Sequence, residues 1–128
     1  MNFKVSQSAH FLKLLSTLSD DEIELIGNFQ VHLMSQGFEG LPGRNKPSTG
    51  VSKNHVNRIK LIQYAIANNL HHYHVGHTQY DRNKEFGDWT SEYVIHYQNH
   101  ASKTQTINLV DYAAHPPFKL PSPNTLKP

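Results

Sequence analysis

The sequence predicts an α+β domain in which an N-terminal pair of helices packs on a curved, mainly antiparallel sheet. Apolar residues first recur at helical spacing, and after residue 70 they alternate with the period of two that is typical of strands. A chain of 128 residues is long enough for one compact core and short for two. We therefore expect a single domain over residues 1–120 and a proline-rich tail over residues 121–128.

The first third of the chain predicts one strand and two helices. Residues 2–6 alternate apolar and polar side chains, which indicates a short first strand. Ser8 precedes a first helical stripe, and Ser19 with Glu22 forms a capping-box pattern that starts a second helix. Gly37 is a natural residue to end that helix. The apolar stripe of the second helix consists of Ile23, Ile26, Phe29 and Leu33.

The middle of the chain predicts a loop and a third helix. Residues 37–52 are dense in Gly, Pro, Ser and Asn, so they predict a loop. Residues 57–68 favour a helix with Ile59, Ile62 and Ile66 on one face, and a strand is the competing interpretation.

The last third predicts an antiparallel meander. Its three strands are expected over residues 70–76, 93–98 and 104–112. Residues 77–90 are polar and too numerous for a tight turn, so they predict a projecting loop. The tail, HPPFKLPSPNTLKP, is expected to be extended or disordered, with docking of Phe118 and Leu120 as an option.

Composition limits the classes of function. The chain has no cysteine, which excludes disulfides and thiolate nucleophiles and leaves only His, Asp and Glu for a zinc site. It shows neither a signal peptide nor a run of about 18 apolar residues, so we expect a soluble, cytoplasmic protein without a membrane partner. The formal charge of +2 and the ten histidines favour a polyanionic partner.

The segment LHHYHVGH at residues 70–77 holds four histidines in eight residues. If Tyr73 and Val75 face the core, strand alternation directs His72 and His74 to the opposite face of the sheet. On the next strand, His96 shares a face with Val94 and Gln98. Histidine can accept or donate a proton near neutral pH. The same spacing could instead present two imidazoles to zinc, iron or copper, with Glu92, Asp111 or His96 as a third ligand.

Two segments of the sequence carry a resemblance to a known family. The first, TLSDDEIELIGNFQVHLMSQGFEGLPGRN, covers residues 17–45; the second, NNLHHYHVGHTQYDRNKEFGDWTSEYVIHYQNH, covers residues 68–100 and is followed by TINLVDYAAHPP. This order of a helix, a loop, a strand ending in Val-Gly, a second strand, and a third strand followed by histidine resembles the RelE/ParE superfamily of toxin-antitoxin toxins, especially its YafO-like branch. Family members usually carry arginines where this chain has His72 and His74, and their loop before the second strand is shorter.

The resemblance implies a toxin that inhibits translation. Such a toxin is a metal-independent endoribonuclease that cuts mRNA, often on the ribosome, by attack of a 2′-hydroxyl on the adjacent phosphate. It would be held inactive by a cognate antitoxin, with which it forms a hetero-oligomer. The resemblance also implies that His115 lies at the edge of the same cleft.

These arguments give a set of candidate residues. The expected acid and base residues are His72, His74, His96 and His115. The residues expected to hold RNA are Arg44, Lys46, Lys53, Arg58, Tyr80, Arg82 and Trp89. Two alternatives stay open: a non-enzymatic toxin that inhibits DNA gyrase, as the ParE branch does, and a metal-dependent enzyme with histidine ligands.

Overall fold

The computed structural model describes residues 2–115 and 119–128 and has an α+β architecture. In chain order its elements are β1 (Lys4–Gln7), α1 (Ala9–Leu15), α2 (Asp20–Gln36), β2 (Asn45–Pro47), α3 (Arg58–Ala67), β3 (Leu70–His74), β4 (Tyr93–His100), α4 (Ala101–Thr104), β5 (Thr106–Ala114) and a final 3₁₀ helix (Pro123–Leu126). Among the described residues, no helix combines the length and apolar character that a membrane crossing requires.

All five strands belong to one mixed sheet in the order β1-β5-β4-β3-β2. β3, β4 and β5 pair in antiparallel fashion, which confirms the predicted meander. β2 is antiparallel to β3, whereas β1 runs parallel to β5 at the other edge of the sheet. The sheet is therefore mainly antiparallel, as the sequence predicts.

Hydrogen bonds at their ends fix the two N-terminal helices where the sequence predicts them. The hydroxyl of Ser8 accepts a hydrogen bond from the amide of Phe11 and caps α1. Ser19 and Glu22 form the complete capping box of α2. At the other end, Gly37 has a φ of +66° and its amide donates to the carbonyl of Leu33. Side-chain caps of this kind satisfy amides that a helix leaves without partners.

The core lies between helices α1 and α2 and one face of the sheet. Phe29 of α2 stacks on Tyr73 of β3 with ring centroids 4.5 Å apart, and Val75 is buried on the same side. This confirms the alternation that directs His72 and His74 to the opposite face. The α2 stripe is buried from Ile26 onward, but Ile23 in the first turn is 42% exposed.

Two features of the middle segment differ from the sequence prediction. Residues 45–47, expected to be loop, form the edge strand β2. The segment has no apolar alternation, and Pro47 is tolerated because it lies at the edge of the sheet. The third helix is confirmed, but Ile59 and Ile66 are exposed, while Ala65 is buried. Of the predicted stripe only Ile62 is half-buried, and the fully buried residue of the helix is the small Ala65.

The described part of the tail is packed against the domain, and residues 123–126 form a 3₁₀ helix, so the expectation of an extended or disordered tail is wrong for residues 123–126. Pro121 and Thr125 are buried. The hydroxyl of Tyr64 donates to the carbonyl of Pro121 at 2.8 Å, and the amide of Ala9 donates to the carbonyl of Lys127. Proline lacks an amide hydrogen but keeps its carbonyl acceptor, so a proline-rich segment can still be held by donors from the domain. Phe118 lies outside the described residues.

Candidate functional site

An open cavity of about 920 Å³ lies on the face of the sheet that carries His72 and His74. Cavities of this size are typical of ligand sites. We name it the histidine cleft. The described residues that line it are Arg44, Lys46, Pro47, Gly50, His72, His74, Thr78, Gln79, Tyr80, Asp81, Arg82, Asn83, Thr90, Ser91, Glu92 and His115.

The four predicted histidines come together in and beneath this cleft. His72 is directly opposite His96 in the pairing of β3 with β4, and their ring centroids are 6.2 Å apart. His115 follows β5, and its ring centroid lies 5.7 Å from that of His72 and 5.4 Å from that of His74. His96 is 2% exposed and lies beneath the cleft, whereas the other three line it.

Two serines fix the orientation of the imidazoles. The Nδ1 of His72 lies 2.9 Å from the hydroxyl of the buried Ser48. The Nδ1 of His74 lies 2.9 Å from the carbonyl oxygen of Ser91 and 3.0 Å from its amide nitrogen. Ser91 thus offers a partner to either tautomer of His74. The sequence arguments missed both serines, because nothing local in the sequence shows which serine lies beside a histidine 24 or 17 residues away.

The environment of the cluster favours neutral imidazoles. Burial, together with the neighbouring histidines, lowers the pKa of His72 to about 3. Burial lowers the pKa of His96 to about 4, although the carboxylate of Asp111 acts in the opposite direction. Burial also lowers the pKa values of His74 and His115. At neutral pH these side chains therefore offer nitrogen lone pairs, which can accept a proton or bind a metal ion.

These pKa values predict that acid destabilises the protein. The folded pKa values of His72 and His96 lie below the ordinary value of 6.5, so the unfolded chain binds protons more readily. The stability that neutral imidazoles contribute is complete above pH 6.5 and is lost as the pH falls toward the folded values of about 4 and about 3. We expect the free energy of unfolding to be lower at pH 4.5 than at pH 7.5, by on the order of several kcal/mol. It is measured by urea unfolding with a chelator present.

The matched variants for this measurement are His96→Gln and His55→Gln. His55 is exposed and lies outside the cleft, so its replacement should leave the pH dependence unchanged, whereas His96→Gln should reduce it. Equal unfolding free energies of the unmodified protein at the two pH values would contradict the prediction.

Among the described residues, three cationic side chains line the cleft, and Arg44 forms an ion pair. Arg44 donates two hydrogen bonds to the carboxylate of Asp88, at 2.7 and 3.2 Å. Lys46 and Arg82 are exposed at the cleft, and the guanidinium of Arg82 lies 4.7 Å from the ring centroid of Trp89. The positive charge that can meet a phosphate therefore comes mainly from Lys46 and Arg82.

Tyr80 and Trp89 hold the long loop against the sheet. The Tyr80 hydroxyl donates to the carbonyl of His74 at 2.7 Å and lies 3.0 Å from the hydroxyl of Tyr73. The Trp89 indole donates to the carbonyl of Lys84, and its ring contacts that of Tyr80. Tyr80 lines the cleft, but Trp89 is not among the described lining residues. A role for either in stacking on RNA bases stays a prediction.

Lys53 and Arg58 lie elsewhere. Neither is among the described residues that line the cleft, and the side chain of Arg58 donates to the carbonyl of Val51 at 3.4 Å. The prediction that they hold RNA in the same cleft thus has no support from the geometry.

Three imidazoles of the cleft have metal-site spacing. One ring nitrogen from each of His72, His74 and His115 lies within 4.8 Å of the corresponding nitrogens of the other two. Within the described ranges, the sequence alternatives for a third ligand, Glu92, Asp111 and His96, do not belong to this group.

Comparison with known proteins found no matching family model, no matching curated protein and no matching solved structure.

Proposed function

We propose that this protein is the toxin of a toxin-antitoxin pair and that it cuts mRNA in the histidine cleft without a metal ion, on the translating ribosome. The observation that carries the proposal is the arrangement of His72, His74 and His115 on the floor of an open cleft beside Lys46 and Arg82. Cleavage of RNA at phosphate needs a base, an acid and fixed positive charge within a few ångströms. The cleft supplies side chains of all three types.

The reaction is an internal transfer of the phosphate. One imidazole takes the proton of the 2′-hydroxyl, the 2′-oxygen forms a bond to the adjacent phosphorus, and the bond from phosphorus to the 5′-oxygen breaks. A second imidazole, protonated when the negatively charged phosphate binds beside it, gives its proton to the departing 5′-oxygen. The products are a 2′,3′-cyclic phosphate and a 5′-hydroxyl. Lys46 and Arg82 stabilise the negative charge on the phosphorane.

The backbone of Ser91 and the hydroxyl of Ser48 support these proton movements. Because the Nδ1 of His74 has both a donor and an acceptor from Ser91 within 3.0 Å, the ring keeps a hydrogen bond in either tautomer. The hydroxyl of Ser48 can likewise donate to or accept from the Nδ1 of His72. These partners hold the rings in place while a proton is exchanged.

The antitoxin belongs to the same proposal. Helix α2 exposes three large apolar side chains, Ile23, Val31 and Met34. Exposed apolar surface is often covered by a protein partner. Expression of the chain alone is expected to arrest growth, and co-expression of a small antitoxin from a neighbouring reading frame is expected to relieve the arrest.

The decisive test uses purified protein and RNA in the presence of a chelator. Ribosome-bound mRNA and a synthetic oligonucleotide are incubated with the protein, and the ends of the fragments are determined. We expect fragments with 2′,3′-cyclic phosphate and 5′-hydroxyl ends. RNA in which the 2′-hydroxyl is replaced by 2′-O-methyl should remain intact, because the attacking group is absent.

Two outcomes of this experiment would contradict the proposed cleavage. Fragments with 5′-phosphate ends would contradict the internal transfer. Intact RNA in every condition, together with inhibition of gyrase supercoiling, would favour the non-enzymatic toxin instead.

A further inference from the structure

We propose that His72, His74 and His115 bind a transition-metal ion, with Zn²⁺ the expected occupant, and that the bound ion blocks RNA cleavage. The binding site follows from the geometry of the three residues alone. The inhibition rests on the function proposed above, so the two parts are tested by separate measurements.

The spacing of the three nitrogens fits a zinc site after small movements. They lie within 4.8 Å of one another, whereas a tetrahedral site with zinc–nitrogen bonds of about 2.0–2.1 Å separates its nitrogens by about 3.4 Å. Each nitrogen therefore needs to move by less than about 1 Å, which a rotation of the side chain provides. His72 and His74 come from one strand, and His115 approaches from the end of β5.

Two of the three imidazoles already make a hydrogen bond at one ring nitrogen. Metal-bound histidines generally use their second nitrogen in a hydrogen bond that fixes the ring. Here the Nδ1 of His72 meets the Ser48 hydroxyl, and the Nδ1 of His74 meets the backbone of Ser91. Two of the three candidate ligands thus have the outer contacts that are typical of a metal centre. Ser48 directly follows β2, and Ser91 lies two residues before the start of β4.

The donor set and the surroundings decide the kind of ion. Three imidazoles suit zinc, copper, nickel or iron and do not suit magnesium or calcium, which prefer oxygen ligands. Three protein ligands leave a further coordination position, and the open cleft gives a water molecule or a phosphate oxygen access to it. An ion at this position occupies the lone pairs that would otherwise move protons, so cleavage stops.

Binding is measured on protein produced without a histidine tag and stripped with a chelator that is then removed. Calorimetry with Zn²⁺ is expected to give one ion per chain, and Co²⁺ is expected to give the absorption of a tetrahedral nitrogen site. Single replacement of His72, His74 or His115 by Gln should weaken binding by at least about 100-fold, and Ser48→Ala by roughly 10- to 100-fold. His55→Gln, which changes an exposed histidine outside the cleft, should bind as the unmodified protein does.

Thermal unfolding shows whether the variants still fold. Zn²⁺ should raise the Tm of the unmodified protein and of His55→Gln but not that of the three cleft variants. Absence of binding, or binding that all three cleft variants retain, would overturn the site.

RNA cleavage gives the second measurement. Stoichiometric Zn²⁺ is expected to suppress cleavage at least 10-fold, and a chelator is expected to restore it. Cleavage that requires Zn²⁺ would overturn the inhibition together with the metal-independent mechanism. Zinc binding by a protein that leaves all RNA intact would support the site while the proposed function fails.

Discussion

Replacement of His115 by alanine is expected to lower the rate of RNA cleavage by about 100- to 10,000-fold, the usual contribution of a positioned acid or base. His115 is half-buried, whereas His72 and His74 are buried, so its loss disturbs the packing least. The rate is measured under single-turnover conditions with an oligonucleotide in chelator, and the Tm is measured alongside. An unchanged rate in His115→Ala would show that this imidazole takes no part.

A second variant tests whether two histidines act in one reaction. If His74 and His115 serve as the two members of an acid–base pair, the double variant His74→Gln with His115→Ala should lose little more than the worse single variant. If the rate reductions of the two single variants instead multiply in the double variant, the two residues contribute independently to the rate. His55→Ala is the matched control, because it removes an exposed imidazole and should keep the full rate.

Replacement of Gly43 by alanine is expected to destabilise the protein by about 1–3 kcal/mol or more. A Cβ at position 43 would lie 2.0 Å from the carbonyl oxygen of His74 and 2.7 Å from the hydroxyl of Tyr80. That carbonyl cannot easily move, because it accepts the hydrogen bond of Tyr80, and the amide of His74 donates to the carbonyl of Arg44 at 3.0 Å. The methyl group must therefore push the segment around β2 away from β3.

Gly27→Ala is the matched control and should change stability in the opposite direction. Gly27 lies on the exposed side of α2, and a Cβ there would have no atom within 4 Å. Alanine in a helix is favoured over glycine by about 0.5–1 kcal/mol. Urea unfolding of both variants checks the pair. A midpoint for Gly43→Ala equal to that of the unmodified protein would contradict the close approach of β2 to β3.

The long periodic segments of the fold could be predicted from the sequence, and the short ones could not. The capping box at Ser19 and the alternation around Tyr73 each depend on neighbours within a few residues, so local rules apply. β2 is different, because Asn45, Lys46 and Pro47 become a strand only through their pairing with β3. The predicted isoleucine face of α3 is also mostly exposed, because the helix is buried at Ala65 and bound to the tail through Tyr64.

In the candidate site too, features set by nearby residues could be predicted and features set by distant residues could not. The side on which His72 and His74 lie follows from strand alternation, whereas the approach of His115 was expected only from the resemblance to a family. Sequence patterns contain no information about the partners of these rings, since Ser48 and Ser91 are brought to them by the sheet and by the long loop. Likewise, the pairing of Arg44 with Asp88 joins residues 44 positions apart.

The parallel pairing of β1 with β5 determines when the sheet can be completed during synthesis. Ser6 donates a hydrogen bond to Asn108 across a separation of 102 residues, so β1 has no strand to pair with until β5 has been made. Pairings of such long range form slowly, since the ends of a long loop must meet before they gain any contact. His115 comes later still in the chain. A polypeptide emerging from the ribosome therefore carries an unfinished cleft until residue 115 has been made, because the three imidazoles of His72, His74 and His115 cannot meet before then.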